Sequence, residues 1–261
     1  MSAPGNVTID LAEQFPRLPH APIVEAVIDI RGRAEEPWEE SAIQARLKAQ
    51  LPDYPKVDSH REFRHELKMA PGEEPLRGLL DLGWKGLRLQ SVDGLHIAQF
   101  NRDGFIFSRL YPYESWEQLI EEGMRLWGIY REIARPSEVQ RLGLRFINRI
   151  LLPSNDVNFE EYLKVPPKLP DGLDLPFYGF LHNETLSVTG HPYAINIIRA
   201  LQPFQPPDHD RVAVILDNDV YTVEPFGFQQ EILERRLVEM RWLKNKAFFG
   251  MISDKALGTF Q

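Results

Sequence analysis

The chain has 261 residues, a formal net charge of −8 and no cysteine. Its 43% hydrophobic and 26% charged residues are ordinary globular values, so a conventional core is expected rather than disorder. The absence of Cys excludes disulfides, thiolate catalysis, Fe–S clusters and Cys-based zinc sites, and the acidic balance excludes a global attraction to phosphate backbones.

Residues 1–21 read as an N-terminal extension; Asp10, Glu13 and the lack of a long apolar run make it unsuitable as a secretory signal. No window approaches the roughly 18 to 20 continuous apolar residues of a membrane helix, so a cytoplasmic protein without a membrane partner is expected. Residues 22–33 then alternate as a strand, and Trp38 to Leu51 carries Ala42, Ile43, Leu47 and Leu51 at helical spacing. Three strand-like stretches follow, at 57–69, 77–91 and 95–109. Turn signals at Pro71-Gly72 and Asp93-Gly94 separate them, and Asp93-Gly94 predicts a tight hairpin. Ser115 is placed to cap a long helix to about Ala134, with Leu119, Ile120, Met124, Leu126, Trp127 and Ile133 as its apolar positions.

A second succession opens with a strand at 139–151. A short helical stretch near Asn158 to Lys164 follows, then strands at 178–190, 193–201 and 211–223, and a closing helix from Phe226 to Ala247. Prolines cluster at Pro166 to Pro176 and Pro203 to Pro207, marking connections. The order β-α-β-β-β-α thus recurs over 22–136 and 137–261, which predicts an α+β fold of duplicated units in one compact body. Twisted antiparallel sheet would carry helices on one face and leave the other to bind something.

Alternation over 141–150 sends Arg141, Arg145 and Arg149 to one strand face, opposite Leu142, Leu144, Phe146 and Ile150. Guanidinium forks suit carboxylate and phosphate, so the stripe is either an anion site or one side of a salt-bridged layer. The candidate partners on the opening strand are Glu25, Asp29 and Arg31, which share a face with Arg33. Asp217 and Asp219, flanking Asn218, are weak candidates for holding Mg²⁺ or Ca²⁺; the plainer expectation is a turn made by Asp-Asn-Asp.

The seven histidines show no metal-ligand spacing, and no nucleophile elbow, P-loop or dinucleotide fingerprint is present. No cofactor and no catalytic residue are therefore assigned. Trp38, Trp84, Trp116, Trp127 and Trp242 read as packing residues rather than base-stacking platforms, so nucleic acid is not an expected partner.

The run Ala21-Pro22-Ile23-Val24-Glu25-Ala26-Val27-Ile28-Asp29-Ile30-Arg31, followed by Arg141-Leu142-Gly143-Leu144-Arg145-Phe146-Ile147-Asn148-Arg149-Ile150 and the segment from Phe248-Phe249 to Leu257, resembles a sporadically distributed bacterial family of about this length without an established activity. The resemblance implies a bacterial, cytoplasmic protein of an accessory or mobile gene cluster and supplies no catalytic residues. The function expected is a non-catalytic binding or assembly protein that presents a sheet surface to a protein partner, with a homodimer as one form. The alternative is a metal-dependent phosphohydrolase of the triphosphate-tunnel type, although Glu25-x-x-x-Asp29-x-Arg31 departs from the alternating acids of that family.

Overall fold

Alternation in β1 (Ile23–Arg31) buries Ala26, Ile28 and Ile30 on one face and turns Glu25, Val27, Asp29 and Arg31 to the other. The remaining elements of the computed structural model, which describes residues 6–35, 38–68, 76–153, 157–173, 175, 177–202 and 211–261, follow in chain order. They are α1 (Glu40–Gln50), β2 (Lys56–Lys68), β3 (Leu76–Gln90), β4 (His96–Asn101), β5 (Gly104–Leu110), α2 (Trp116–Ala134), β6 (Glu138–Val139) and β7 (Arg141–Pro153). After them come α3 (Phe159–Tyr162), β8 (Leu181–Val188), β9 (Tyr193–Gln202), β10 (Arg211–Thr222), β11 (Phe226–Gly227), α4 (Gln230–Met251) and α5 (Asp254–Gly258).

Among the described residues nine strands form one sheet in the order β2-β3-β4-β5-β1-β7-β10-β9-β8, with β6 and β11 paired separately. Every pairing is antiparallel, and β1 against β7 joins the two halves of the chain at the centre. The α+β class with helices on an antiparallel sheet is as the sequence predicts. The strand count differs. The stretch 95–109 is two strands, β4 and β5, closed by an Asn101↔Gly104 pair across Arg102-Asp103. The first half therefore holds β-α-β-β-β-β-α rather than β-α-β-β-β-α, and the halves are not copies strand for strand. Gly104 permits this turn, because a Cβ there would meet the Ile30 carbonyl oxygen at 2.5 Å.

The closing helix also starts later than its apolar pattern predicts. Phe226 and Gly227 are drawn into β11 against Val139 and Glu138, so α4 begins at Gln230 and runs on to Met251. In α2, Ser115 Oγ accepts from the Gln118 amide at 3.2 Å, satisfying one of the orphan donors of the first turn. Leu126, Trp127 and Tyr130 of α2 and Leu233, Leu237 and Met240 of α4 are buried on the same face of the sheet as Ala26, Ile28 and Ile30. Gly123 brings α2 close there: a Cβ would lie 2.8 Å from Ile28 Cδ1. Each large apolar side chain so removed from water contributes about 1.5 to 3 kcal/mol, which makes this covered face the principal source of stability.

No helix among the described residues is long and apolar enough to cross a membrane. The expected Pro71-Gly72 turn, Pro75, Pro176, the Pro203 to Pro207 cluster and His209 lie outside the described residues.

Candidate functional site

The helix-free face is organised by charge. At the β1/β7 junction Arg31 stands directly opposite Arg141, a like-charge pair that is unfavourable by itself. Asp29 offsets it: its Oδ2 accepts from Arg141 at 2.9 Å, and its Oδ1 lies 2.7 Å from Arg31 Nε, an ion pair outside hydrogen-bond alignment. Arg141 also donates to Asp219 Oδ2 at 2.7 Å and lies 4.8 Å from the centroid of the Tyr221 ring. One guanidinium thus ties β1 to β10 across β7.

Gly143 makes that reach possible. It pairs with Asp29 on one side and Tyr221 on the other, and a Cβ at this position would lie 2.4 Å from an Arg141 guanidinium nitrogen. The Arg141-Leu142-Gly143 spacing is therefore a device for laying a guanidinium flat along its own strand.

Arg145 makes a second, forked pair with Asp217, with Nε 2.8 Å from Oδ1. The Asp217 bond comes first among the causes that hold Arg145 more firmly in its charged form. Burial pushes the carboxyls of Asp29 and Asp219 above the usual carboxylate range, against the pull of Arg31 and Arg141 on the first and of Arg141 and Arg145 on the second. Glu25 pairs in register with Ile147 and acts on Arg145 only through space. Arg149 donates from Nε to Gln202 Oε1 at 3.1 Å.

One sequence expectation is corrected here. Asp217, Asn218 and Asp219 do not form a turn: all three lie inside β10, paired with β7 on one side and β9 on the other. Ladder hydrogen bonds on both edges override the turn preference of Asp-Asn-Asp. Asp217 and Asp219 do share a face, yet both accept from arginines, and among the described residues no three His, Asp or Glu side chains group to hold a metal ion. Among the described residues the sheet runs from β2 to β8 without closing on itself.

The covered face holds a feature that the sequence reading missed. A cavity of about 640 Å³ opens between the N-terminal segment around Phe15, the first turn of α2 and α4, with Phe146, Asn148 and Asn218 of β7 and β10 on its wall. The signals are interruptions of apolar stripes. Lys244 continues the helical series Leu233, Leu237, Met240; Asn148 interrupts Leu144, Phe146, Ile150; and Asn218 interrupts Val214, Leu216, Val220. Comparison with known proteins finds no matching family model, no matching curated protein and no matching solved structure.

Proposed function

We propose that the protein is a non-catalytic binding or assembly protein that presents a sheet surface to a protein partner, and that this surface is the β2–β3 edge. The observation that carries the reading is the exposure of Leu79 (61%), Phe63 (48%), Leu80 (48%) and Leu82 (38%) on that hairpin. β4 pairs only with Gly86–Gln90 of β3, so the earlier part of β3 is bonded to β2 alone, and β2 is the edge of the sheet. A two-stranded ribbon is marginal in water by itself, and an unpaired edge with large apolar side chains is a template for another chain. Leu79 and Leu80 are consecutive and point to opposite faces, so cover is needed on both.

The occupant is a second copy of the chain. Arg61, Arg64 and Lys85 stand against Glu62 and Asp81 among the described charges, with Arg61 paired to Asp81 at 2.8 Å, so the patch is close to neutral and meets its own image without strong repulsion. A twofold contact uses one self-complementary patch on both subunits. The arginine strand fits the same reading, since Arg141 and Arg145 are committed to Asp29, Asp217 and Asp219 rather than presented to a polyphosphate.

The test is mass determination by light scattering on wild type and a Phe63→Asp, Leu79→Asp double variant. A wild-type dimer that becomes a folded monomer in the variant is the expected result. A monomeric wild type, or a dimer indifferent to the substitutions, overturns the second-copy assignment; so does a different protein competing for the same residues.

A further inference from the structure

We propose that the cavity beneath α4 is a binding site for a small organic anion, a carboxylate carried on an apolar or aromatic body, with its charge seated at Lys244. The size comes first. About 640 Å³ lies within the range of sites for small ligands, which are concave, largely apolar and furnished with a few directed polar groups. Phe15, Tyr113, Trp116, Phe146, Trp242 and Phe249 supply the apolar wall. Phe15 stacks on Phe249 with ring centroids 5.5 Å apart, and Glu13 accepts from Trp242 Nε1 at 2.9 Å and from Lys246 Nζ at 2.6 Å. The N-terminal segment is thereby fastened to α4 as the outer wall.

The polar groups carry the choice of ligand. Lys244 lines the cavity with Nζ 3.8 Å from the centroid of the Phe146 ring. A cation over a ring is attracted to it, and here that contact does not compensate burial: desolvation first, then the neighbouring Arg241, pushes the Lys244 ammonium down to about 7. The carboxylates on the same wall are engaged elsewhere. Glu13 is held by Trp242 and Lys246, Glu114 by Arg109 at 3.1 Å, and Glu117 lies 4.0 Å from Arg241. Neither Lys244 nor Arg17 has a carboxylate in ion-pair distance among the described residues.

Asn218 adds an independent sign. Its residue is 0% exposed, and neither its amide nitrogen nor its amide oxygen makes a hydrogen bond. Buried polar atoms of this kind are rarely left without a partner, because each one that is forfeits its hydration without a replacement. The open cleft therefore holds a part-buried cation, Lys244, and an exposed one, Arg17, with Arg241 beside them, and an amide lacking partners, among aromatic side chains. A carboxylate on an apolar body answers both the charge and the wall. Its arrival favours protonated Lys244, so binding takes up a proton above pH 7 and weakens as pH rises; the titratable groups lining the cavity with Lys244 are Arg17, Glu13, Tyr113, Glu114, Glu117 and Arg241, of which Arg241 acts on it.

Calorimetric titration of the full chain with 4-phenylbutyrate, its neutral amide and octanoate at pH 6.5 tests the assignment. Saturable binding of at least one acid at one per chain is expected, with the amide weaker than 4-phenylbutyrate on the order of tenfold or more, and the stronger acid identifies the body the wall prefers. Lys244→Met loses that preference, Arg17→Met reduces it, and Arg145→Met on the other face leaves it intact. Raising the pH to 8.5 weakens the acids in wild type. Equal binding of acid and amide, preference retained in Lys244→Met, or failure of both acids to saturate overturns the proposal. Should Lys244→Met not fold, Arg17→Met and the pH dependence decide it in the same sense.

Discussion

β1, β7 and β10 treat charge differently on their two faces. On the helix-free face, Arg141 and Arg145 meet Asp29, Asp217 and Asp219 at ion-pair distance, and the guanidinium of Arg141 is shared between two strands. On the helix-covered side, Lys244 of α4 and Asn218 of β10 have, among the described residues, neither a carboxylate nor a side-chain hydrogen bond to answer them. Both arrangements cost desolvation, and the first returns part of it as Coulomb and hydrogen-bond energy within the chain, although burial still outweighs the arginines at Asp29 and Asp219. The difference separates a structural layer from a site: paired charge is answered within the chain and is costly to break, whereas unpaired charge is retained at a cost to the fold and is available to something else.

The largest effect expected is on the paired side. Arg141→Met leaves Asp219 partly buried without its main cation and Asp29 with Arg31 alone of its two, and should destabilise the protein by about 2 to 4 kcal/mol, read from urea unfolding. The deficit should shrink in acid. For carboxyls whose folded pKa is raised, the folded state holds more protons than the unfolded one between 3.8 and the raised value, so stability falls as pH rises through that window and returns as pH falls. A variant as stable as wild type would mean that the layer contributes nothing.

The opposite sign is expected on the cavity side. Lys244→Met removes a desolvated cation and should raise stability near pH 7 by about 1 to 3 kcal/mol, an amount reduced for the partial access that the residue retains. The lysine is lowered from 10.5 to about 7, so above pH 7 the unfolded state binds more protons than the folded one and wild-type stability rises towards pH 10. The advantage of the methionine variant should fade over that range. Guanidinium melts at pH 7 and pH 9.5 check it, and a destabilised variant at both pH values would place Lys244 among the paired groups instead.

The smallest effect concerns Arg145, whose side chain is 45% exposed while that of Asp217 is 7% exposed. Arg145→Ala should cost about 1 to 2 kcal/mol, chiefly through the buried carboxylate left behind, and should not change the response of the melting temperature to triphosphate. Saturable stabilisation of wild type by triphosphate, lost in this variant, would turn the layer into an anion site and revive the tunnel-type alternative.

Much of the fold was legible because its signals are local. Ser115 marks the start of α2, Asp93-Gly94 sits between β3 and β4, and Leu237 and Trp127 lie on the buried faces their spacing predicts. The misreadings have two causes. The Asp-Asn-Asp run and Phe226 take strand partners far along the chain that local preference does not reveal, β7 for the first and β6 for the second, whereas the division of 95–109 is a local hairpin of β4 on β5, turned at Arg102-Asp103.

By itself the sequence determined the α+β class, the alternation that puts Arg141, Arg145 and Arg149 on one face, and the apolar stripes that became the covered side. Period-two and helical spacing are properties of neighbouring residues, and burial reads them directly. Only the tertiary structure decided that Arg141 spans from Asp29 to Asp219, that Asp217 is the partner of Arg145, and that Lys244 and Asn218 meet at one cavity. Those are contacts between residues tens to hundreds of positions apart. Their existence depends on strand order and register, which no local propensity encodes.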